Sequence, residues 1–343
     1  MTAVASTPVR IFLTGGAGFI GSHFVRNVLT GRSAGLEDAN LTVLDALSYS
    51  GNRDNLTPVA SDPRLTFVEG DITDAGLVED LMPGHDAVVH FAAETHVDRS
   101  ILDGTSFVST NVLGTQVLLE AARRHGVGRF LHVSTDEVYG SIEEGSWTED
   151  QPLAPRSPYA ASKAASDLMA LAFFRTHGFD IVLTRCSNTY GPYQFPEKLI
   201  PLFVTNILDG GTVPLYGDGL NIRDWLHVDD HCLGIALVLG RGRAGEVYHV
   251  GGGTELTNRE LTEKLLVACG ADWDRVAPVE DRQGHDRRYS LDISKIGAEL
   301  GYAPRVNFDN GLADTVAWYR NNRAWWEPLK SRRRASHAQG SVG

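Results

Sequence analysis

The protein has 343 residues, and its 43 acidic and 31 basic residues give a formal net charge of −12. Hydrophobic residues make up 42% of the chain and charged residues 22%, as is typical of a soluble globular protein. The chain exceeds the length at which one hydrophobic core stops growing, so we predict two lobes. The acidic balance argues against nucleic acid or an anionic membrane as the main partner. It leaves room for a small anionic ligand in a local basic pocket.

The three cysteines, at positions 186, 232 and 269, are too few and too scattered for a disulfide framework. No apolar run reaches the ~18 residues of a membrane span, and we expect no signal peptide at the N-terminus. The sequence therefore predicts a cytoplasmic protein with reduced thiols. It contains no HExxH motif and no cysteine cluster, so no metal site is predicted.

The first half alternates short apolar runs with amphipathic stretches. The runs predict six strands, at Arg10–Thr14, Leu41–Asp45, Leu65–Val68, Ala87–Phe91, Arg129–Val133 and Asp180–Thr184. Several are apolar on both faces, as buried parallel strands are. Helical patterns lie between them, at Phe19–Leu29, Ser106–His125 and Pro158–His177. This alternation predicts an α/β fold, a Rossmann-type doubly wound parallel sheet with helices on both faces.

The pattern becomes less regular after about residue 190. Proline and glycine interrupt residues 191–201 and 210–219, before a predicted strand at Glu246–Val250 and helices near Asn258–Cys269 and Gly311–Asn322. We predict a first domain over residues 1–190, to which residues 220–250 return, and a smaller α/β lobe over residues 191–330. Residues 331–343 form a basic tail, which we interpret as a flexible end; a nucleic-acid-binding arm is the alternative.

The first strand is followed by a glycine-rich segment, TGGAGFIG at Thr14–Gly21. Gly15 allows a tight turn, Gly18 lets the backbone approach a pyrophosphate, and Gly21 lets the helix pack closely on the sheet. The N-terminus of that helix offers free N–H groups and a positive dipole end to phosphates. An ordinary strand–helix turn gives the same spacing, but its place after the first strand favours a dinucleotide site.

Acidic and small residues follow the next strands. The second strand ends at Asp45, where a carboxylate hydrogen-bonds the ribose hydroxyls of NAD and repels the 2′-phosphate of NADP. We therefore predict NAD. Asp71 follows the third strand and either meets the adenine or caps a helix. Ala92 and Ala93 follow the fourth strand and leave room for the cofactor.

Tyr159 and Lys163 form a YxxxK motif on one face of a predicted helix. A nearby ammonium stabilises phenolate and lowers the pKa of tyrosine, which lets the phenol act as a base. The motif becomes specific beside the glycine-rich segment and Ser134–Thr135 at the end of the fifth strand. These groups would converge at the carboxyl edge of the sheet, where ligands bind in such folds.

With these motifs, nearly the whole chain resembles the extended short-chain dehydrogenase/reductase family. The segment STDEVYG at Ser134–Gly140 contains an adjacent pair, Asp136 and Glu137, which resembles the dTDP-glucose 4,6-dehydratases of that family. Epimerase relatives usually carry a small or hydroxyl residue at this pair, and GDP-mannose 4,6-dehydratases lack the preceding Asp. Further resembling stretches are Ala92–Ser100, Cys186–Tyr193, Pro196–Pro201, Asn221–Asp230 and Arg282–Tyr289.

The resemblance implies the loss of water from a nucleotide-sugar, with sugar C4 oxidised, water lost across C5–C6, and hydride returned to C6. Tyr159 would be the base at the 4-hydroxyl, which Thr135 hydrogen-bonds. Glu137 would take the C5 proton, and Asp136 would protonate the departing hydroxyl. Asp136 then needs a raised pKa, which burial and the charge of Glu137 favour. Adjacent residues of a strand face opposite ways, so the chain must leave the strand near Thr135.

The resemblance also implies binding residues and an assembly. Further cofactor contacts would be Phe19, Ile20, Ser48, Ile72, Glu94 and Thr110, besides Tyr159 and Lys163. Substrate contacts would be His96, Thr135, Asn188, Lys198, Leu199, Pro214, Tyr216, Arg223, Asn258, Arg282, His285 and Tyr289. Asn258 as a helix cap, Tyr216 as core and His285 as a surface loop residue are alternatives. A homodimer would form through the helices at Ser106–His125 and Pro158–His177.

Two other functions stay open on the sequence. A UDP-sugar 4-epimerase or decarboxylase of the same family would not need Asp136. A non-catalytic NAD-sensing protein would be expected to lack Tyr159, Lys163 or the acids, and all are present. The leading prediction is therefore a dTDP-glucose 4,6-dehydratase in deoxysugar synthesis.

Overall fold

The computed structural model describes residues 8–282 and 284–340, with side chains to Ser331. Its centre is a parallel sheet of β1 (Arg10–Thr14), β2 (Asn40–Asp45), β3 (Leu65–Glu69), β4 (Ala87–His90), β5 (Arg129–Thr135), β6 (Ile181–Cys186) and β10 (Val247–Val250). The strand order is β10-β6-β5-β4-β1-β2-β3, and every pairing is parallel. This confirms the predicted doubly wound sheet. The order reverses between β1 and β4, which opens a crevice at the carboxyl ends of the strands.

The helices of the first half are α1 (Phe19–Leu29), α2 (Ala75–Leu81), α3 (Val97–Leu102), α4 (Thr105–Phe107), α5 (Thr115–Arg124) and α6 (Pro158–His177), with 3-10 turns at Arg53–Val59 and Asp136–Tyr139. Helix α6 has the predicted bounds because local signals fix both ends. The Ser157 hydroxyl accepts the N–H of Ala160, Pro158 is the first helical residue, and Gly178 ends the helix in a left-handed conformation.

The helix predicted over Ser106–His125 is interrupted. A π-helical segment, Val108–Gly114, separates α4 from α5. Within it the Asn111 side chain accepts the N–H of Glu94 at 2.8 Å and donates to the Glu94 carbonyl at 3.0 Å. These bonds tie the widened turn to the segment after β4. Such turns are frequent at functional sites, and apolar periodicity alone does not distinguish them from an α-helix.

The remaining strands are β7 (Asn188–Tyr190), β8 (Val213–Tyr216), β9 (Ile222–His227), β11 (Glu255–Thr257) and β12 (Val276–Val279). The remaining helices are α7 (Leu199–Leu208), α8 (Val228–Arg241), α9 (Asn258–Cys269), α10 (Ser294–Leu300), α11 (Phe308–Asn321) and α12 (Arg323–Gly340), with a 3-10 turn at Trp273–Arg275. Strand β9 pairs with β7 in parallel and with β11 in antiparallel, while β8 pairs with β12 in parallel.

Two expectations for the C-terminal part need adjustment. The helix predicted from Gly311 begins at Phe308, because the Asn307 side chain accepts the N–H of Asn310 and caps it earlier. The tail predicted from residue 331 is helical as far as Gly340. Residues 341–343 of that tail lie outside the described residues, and its flexibility stays a prediction, as does the division of domains at residue 190.

Apolar side chains pack into three main clusters. One includes Phe24, Val25 and Ile235 and joins α1 and α8 to the sheet. A second, with Leu118 and Phe173, joins α5 and α6 to the sheet. The third lies among α7, α9, α11 and α12 in the C-terminal part. The sheet is thus covered on both sides, as parallel strands require. Within the described residues, no helix is both long enough and apolar enough to cross a membrane.

Candidate active site

One cleft runs along the carboxyl edge of the sheet and gathers most of the predicted site residues. Every predicted cofactor and catalytic residue lines it: Gly15, Gly18, Phe19, Ile20, Gly21, Asp45, Ser48, Asp71, Ile72, Ala92, Ala93, Glu94, Thr110, Thr135, Asp136, Glu137, Tyr159 and Lys163. Of the predicted substrate residues, Thr135, Asn188 and Lys198 also line it. Strands β1, β4, β5 and β6 end at the same edge of the sheet. Residues as far apart in the sequence as Gly15 and Lys198 therefore line one cleft.

The glycine-rich segment forms a close-packed cradle. Gly15 has φ +73°, and a Cβ there would lie 2.6 Å from the Ala92 nitrogen. A Cβ at Gly21 would lie 2.3 Å from the Gly15 carbonyl oxygen. Neither position accepts a larger residue without moving the backbone. The loop thus presents bare backbone at the start of α1, as binding of a pyrophosphate requires.

Two aspartates border the cofactor half of the cleft. Asp45 accepts the N–H of Ala17 and the N–H of Leu47, each at 2.8 Å, so it braces the glycine-rich loop. Asp71 accepts both the N–H and the hydroxyl of Thr73 at 2.8 Å. The N-cap of α2 is Asp74, not Asp71. The alternative interpretation of Asp71 as the helix cap is therefore wrong, and Asp71 is one of the residues that line the cleft.

The adjacent acids are brought together by a change of backbone at the end of β5. The strand stops at Thr135, and Asp136–Tyr139 turn into a 3-10 helix whose N-cap is Thr135. The Thr135 hydroxyl accepts the N–H of Glu137 at 3.3 Å and donates to Asp136 Oδ1 at 3.2 Å. Both carboxyl groups thus line the same cleft. The chain leaves the strand where the sequence analysis required it.

The two carboxyl groups have different surroundings. Burial and then the charge of Glu137 raise the pKa of Asp136 well above its usual value. Asp136 Oδ2 has no hydrogen-bond partner among the described residues. Burial also raises the pKa of Glu137, but the charges of Arg282, Lys198 and Arg223 oppose that shift. Asp136 is therefore suited to donate a proton, and Glu137 to accept one.

Tyr159 and Lys163 project from α6 toward the end of β5. Lys163 Nζ donates to the Val133 carbonyl at 2.8 Å, and both side chains are buried. Burial raises the pKa of Tyr159 well above 10, with Glu137 adding to the rise and a hydrogen bond with Thr135 opposing it. Burial, Glu137 and Cys186 are the largest influences that raise the pKa of Tyr159, and the effect of Lys163 on it stays a prediction.

Three basic residues that the resemblance implies as substrate contacts, Arg223, Arg282 and Lys198, lie near Glu137. The Arg223 guanidinium stacks 4.1 Å from the centre of the Tyr289 ring and donates to the Asp286 carbonyl at 3.0 Å. Arg282 lies 3.6 Å from Asp98 on α3. Lys198 donates to the Thr95 carbonyl at 2.9 Å. Because Arg282, Lys198 and Arg223 all act on the charge of Glu137, this end of the site is locally cationic.

The other predicted substrate residues stand apart from the lining of the cleft. His96 is the N-cap of α3 and Leu199 begins α7, while Pro214 and Tyr216 belong to β8. His285 Nδ1 lies 2.6 Å from Asp281, and only 7% of its side chain is exposed, so it is not a free surface residue. Asn258 does not cap α9, because Thr257 and Glu260 form the capping box.

Several residues that line the cleft were not predicted from the sequence. Tyr49 contacts Phe195 edge to face and lies under the Arg99 guanidinium at 4.0 Å. Cys186 contributes its thiol beside the Ser134 carbonyl, and the almost fully buried Glu197 carboxylate lies 3.7 Å from both His96 and Arg99. Cys186 and Glu197 stand in the stretches that carry the resemblance, which is the signal that could have found them, whereas Tyr49 lies outside those stretches.

Comparison with known proteins identifies the family of this chain. A family model described as GDP-mannose 4,6 dehydratase matches residues 12–315. The dTDP-glucose 4,6-dehydratase of Streptomyces niveus is 64% identical over 98% of this chain and all of its own length. That of an Actinoplanes species is 66% identical over 93% of this chain and all of its own length.

Solved structures give the same result. The dTDP-glucose 4,6-dehydratase of Streptomyces venezuelae, crystallised with NAD and dTDP, is 66% identical and has a TM-score of 0.93. The similarity covers 94% of this chain and all of that one. A UDP-glucose 4-epimerase of Thermotoga maritima is 32% identical with a TM-score of 0.84, covering 91% of this chain and 99% of that one. This chain belongs to the dTDP-glucose 4,6-dehydratases, NAD-dependent hydro-lyases of the short-chain dehydrogenase/reductase family.

Proposed function

We propose that the protein converts dTDP-glucose to dTDP-4-keto-6-deoxyglucose. The observation that carries this proposal is the placement of Asp136 and Glu137 in one cleft with Tyr159. Oxidation and reduction at C4 alone, as in an epimerase, need only one proton-transfer group. Loss of water across C5–C6 needs an additional base and an additional acid. The cleft provides both.

The residues present fit NAD. The cradle formed by Gly15 and Gly21 admits a close backbone approach, and Ser134 Oγ, which also lines the cleft, has no hydrogen-bond partner among the described residues. Asp45 lies where a carboxylate selects NAD over NADP. When bound, NAD supplies the oxidant for C4, the reductant for C6 and a positively charged ring in the cleft, and it ends the cycle unchanged.

Tyr159 is assigned as the base that removes the proton of the 4-hydroxyl. Thr135 hydrogen-bonds Tyr159 and positions it, while Lys163 provides positive charge one helical turn away. The high pKa of the buried phenol in the protein alone means that the phenolate depends on positive charge nearby. The tyrosine, lysine and threonine thus perform the first step as a unit.

The next steps fall to the adjacent acids. Glu137 removes the C5 proton, which the 4-keto group acidifies, and Asp136 gives its proton to the C6 hydroxyl as the C–O bond breaks. One water leaves, and Glu137 returns the proton to C5 after C6 is reduced. The proton that Tyr159 took from the 4-hydroxyl replaces, through solvent, the proton that Asp136 gave, so the atoms balance without an external oxidant. Lys198, Arg223 and Arg282 are assigned to the diphosphate, for which arginine offers a planar donor fork.

The experiment is to incubate the protein with dTDP-glucose and to identify the product by NMR. Formation of the 4-keto-6-deoxy sugar supports the proposal. Formation of a C4 epimer, or of product only from UDP-glucose or GDP-mannose, would overturn it. No turnover of any nucleotide-sugar by protein that retains NAD would instead favour an NAD-sensing role. Initial rates with dTDP-, UDP- and CDP-glucose define the base preference.

A homodimer and a cytoplasmic location are part of the proposal. Large apolar side chains are exposed along α3, the π-helical segment and α6, namely Leu102 (88%), Val108 (57%), Leu113 (52%) and Leu168 (56%). Exposed apolar side chains close together mark an interface, and these elements include the helices that the resemblance implies. Three free cysteines support a reducing compartment.

A further inference from the structure

A second polar cluster lies next to Tyr159 and Lys163, on the side of α6 that faces the sheet. Asp167 and Arg185 are its centre, with Arg185 Nε donating to Asp167 Oδ2 at 2.9 Å. His132 Nε2 lies 3.3 Å from Asp167 Oδ1. The Asp167 and His132 side chains are fully buried, and Arg185 is 3% exposed. Burying a carboxylate in an apolar core costs free energy unless its charge is paired and hydrogen-bonded.

The position of Asp167 relates this cluster to catalysis. Tyr159, Lys163 and Asp167 are spaced by four residues along α6, so they stack on one face of the helix. Residues at i and i+4 of a helix lie roughly 5–6 Å apart at Cβ. The Lys163 ammonium donates to a neutral backbone carbonyl, that of Val133. One carbonyl does not neutralise a buried positive charge, whereas the negative charge of a carboxylate one turn away offsets part of the cost of burying it.

We propose that Asp167 is a positioning residue for the reaction: its carboxylate, which the ion pair with Arg185 keeps ionised, holds Lys163 protonated beneath Tyr159. The inference rests on the proposed function for the role of Lys163. It gives a role to Asp167, which lies outside the YxxxK motif.

The charges around Lys163 support this assignment. Burial lowers the pKa of Lys163 to about 8, and the Asp167 charge is the main opposing influence, followed by Cys186. Burial alone would raise the pKa of Asp167, but Arg185, His132 and Lys163 hold it at about 2. Asp167 is therefore ionised at neutral pH.

The other titratable groups that face the cluster stay neutral at pH 7. Burial lowers the pKa of His132 to about 4 and that of His90 well below its usual value. Burial raises the pKa of Cys186 to about 12 and that of Tyr139, which contacts Arg185, to about 12. Asp167 is therefore the charged group that raises the pKa of Lys163, and Arg185 keeps the Asp167 carboxyl ionised.

The test measures the titration of Lys163 directly in the NAD-bound protein. The chain has only five lysines, so labelling with carbon-13 at lysine Cε gives few signals, and Lys163→Arg identifies the one that matters. Asp167→Asn is expected to lower the midpoint of Lys163 by about one to two pH units, from the loss of a charge at this distance. Asp167→Glu, which keeps the charge, is expected to retain most of the original midpoint.

Arg185→Lys is the control variant, because it disturbs the same buried ion pair but keeps the positive charge that holds Asp167 ionised. The midpoint of Lys163 in Arg185→Lys is therefore expected to stay near that of the unmodified protein, while the midpoint in Asp167→Asn falls. A purely structural role predicts similar shifts in both variants, or no shift in Asp167→Asn. Either of those results overturns the proposal. Retained NAD and an unchanged circular dichroism spectrum show that each variant is folded.

A rate measurement links the titration to the reaction. At pH 7, Asp167→Asn is expected to slow the reduction of bound NAD by dTDP-glucose about two- to tenfold, since lowering the midpoint from about 8 by one to two pH units leaves roughly half to a tenth of Lys163 protonated. An unchanged rate in a variant whose lysine midpoint has moved would overturn the catalytic part of the inference. Absence of turnover in the unmodified protein would refute the proposed function and leave the lysine titration as a separate result.

Discussion

At the scale of the residue, two neighbouring carboxyl groups acquire opposite tasks. Asp136 and Glu137 are both buried, yet cationic side chains oppose the pKa rise of Glu137 more strongly than that of Asp136. In addition, the charge of Glu137 is the second cause of the raised pKa of Asp136. Once Glu137 is ionised, Asp136 therefore holds its proton. The pair provides an acid and a base at one pH because its members interact with each other.

Asp136→Asn is expected to spare the oxidation of C4 and to slow water loss by about 10²–10⁴-fold, the usual contribution of a general acid. NADH should then accumulate in a single turnover, which its absorbance reports. Asp274→Asn, at a side chain that is 76% exposed, is the control and should behave as the unmodified protein. Unchanged dehydration would remove Asp136 from the role of acid.

The raised pKa of Asp136 also predicts a pH dependence. The protonated fraction of the acid falls as pH rises through this pKa, so the dehydration step should slow toward alkaline pH. Asp136→Asn should lack that alkaline decline, since its amide does not titrate. The rate of dehydration measured against pH for both proteins checks the sign. An alkaline decline that persists in the variant would assign it to another group.

Tyr159→Phe is expected to suppress the reduction of bound NAD by about 10²–10⁴-fold, because no base remains at the 4-hydroxyl. Tyr302→Phe is a matched control: that phenol is also buried, donates to the Gly251 carbonyl at 3.0 Å and does not line the cleft. Normal formation of NADH by Tyr159→Phe would contradict the assignment.

At the scale of the element, helix α6 serves two surfaces at once. The side carrying Tyr159, Lys163 and Asp167 packs toward the sheet, while Leu168 is 56% exposed. The sequence predicted the bounds of this helix, since its capping signals are local. The sequence did not predict that Arg185 of β6 and His132 of β5 meet Asp167, because pairing across a parallel sheet is set by tertiary packing.

Leu168→Glu is expected to weaken the proposed dimer by placing a charge in its interface, with a shift from dimer to monomer in sedimentation velocity at micromolar concentration. Val267→Glu is the control, because Val267 is 76% exposed but belongs to α9, away from α6. A protein that is monomeric before the substitution, or a dimer that withstands it, would count against this interface.

At the scale of the whole molecule, the C-terminal helix is linked to the glycine-rich loop. Trp325 Nε1 donates to Asn55 Oδ1 at 3.0 Å, and Asn55 Nδ2 donates to the Ala17 carbonyl at 2.9 Å. Trp325 also contacts Tyr193, whose ring lies 4.2 Å from the Arg26 guanidinium. Packing of the last helix thus supports the loop that the cofactor would contact.

Trp325→Phe is expected to lower the free energy of unfolding by about 1–3 kcal/mol, through a lost hydrogen bond and lost packing. The affinity for NAD should fall severalfold, because Asn55 is then held less firmly. Urea unfolding and NAD titration measure the two effects. Trp273→Phe, at a ring that is 39% exposed, is the control. Loss of stability without any change in NAD affinity would limit the link to packing.

The sequence by itself determined the reacting groups and the cofactor loop. Gly15, Gly18 and Gly21, the Tyr159–Lys163 pair and the exit from β5 at Thr135 lie in short segments, where spacing fixes local geometry. The tertiary structure decided their environments. The strand order and the π-helical turn at Asn111 arise from contacts between segments distant in sequence. So do the Asp167–Arg185 pair and the Trp325–Asn55 bond across 270 positions. Charge and burial act through space, so protonation states depended on the fold.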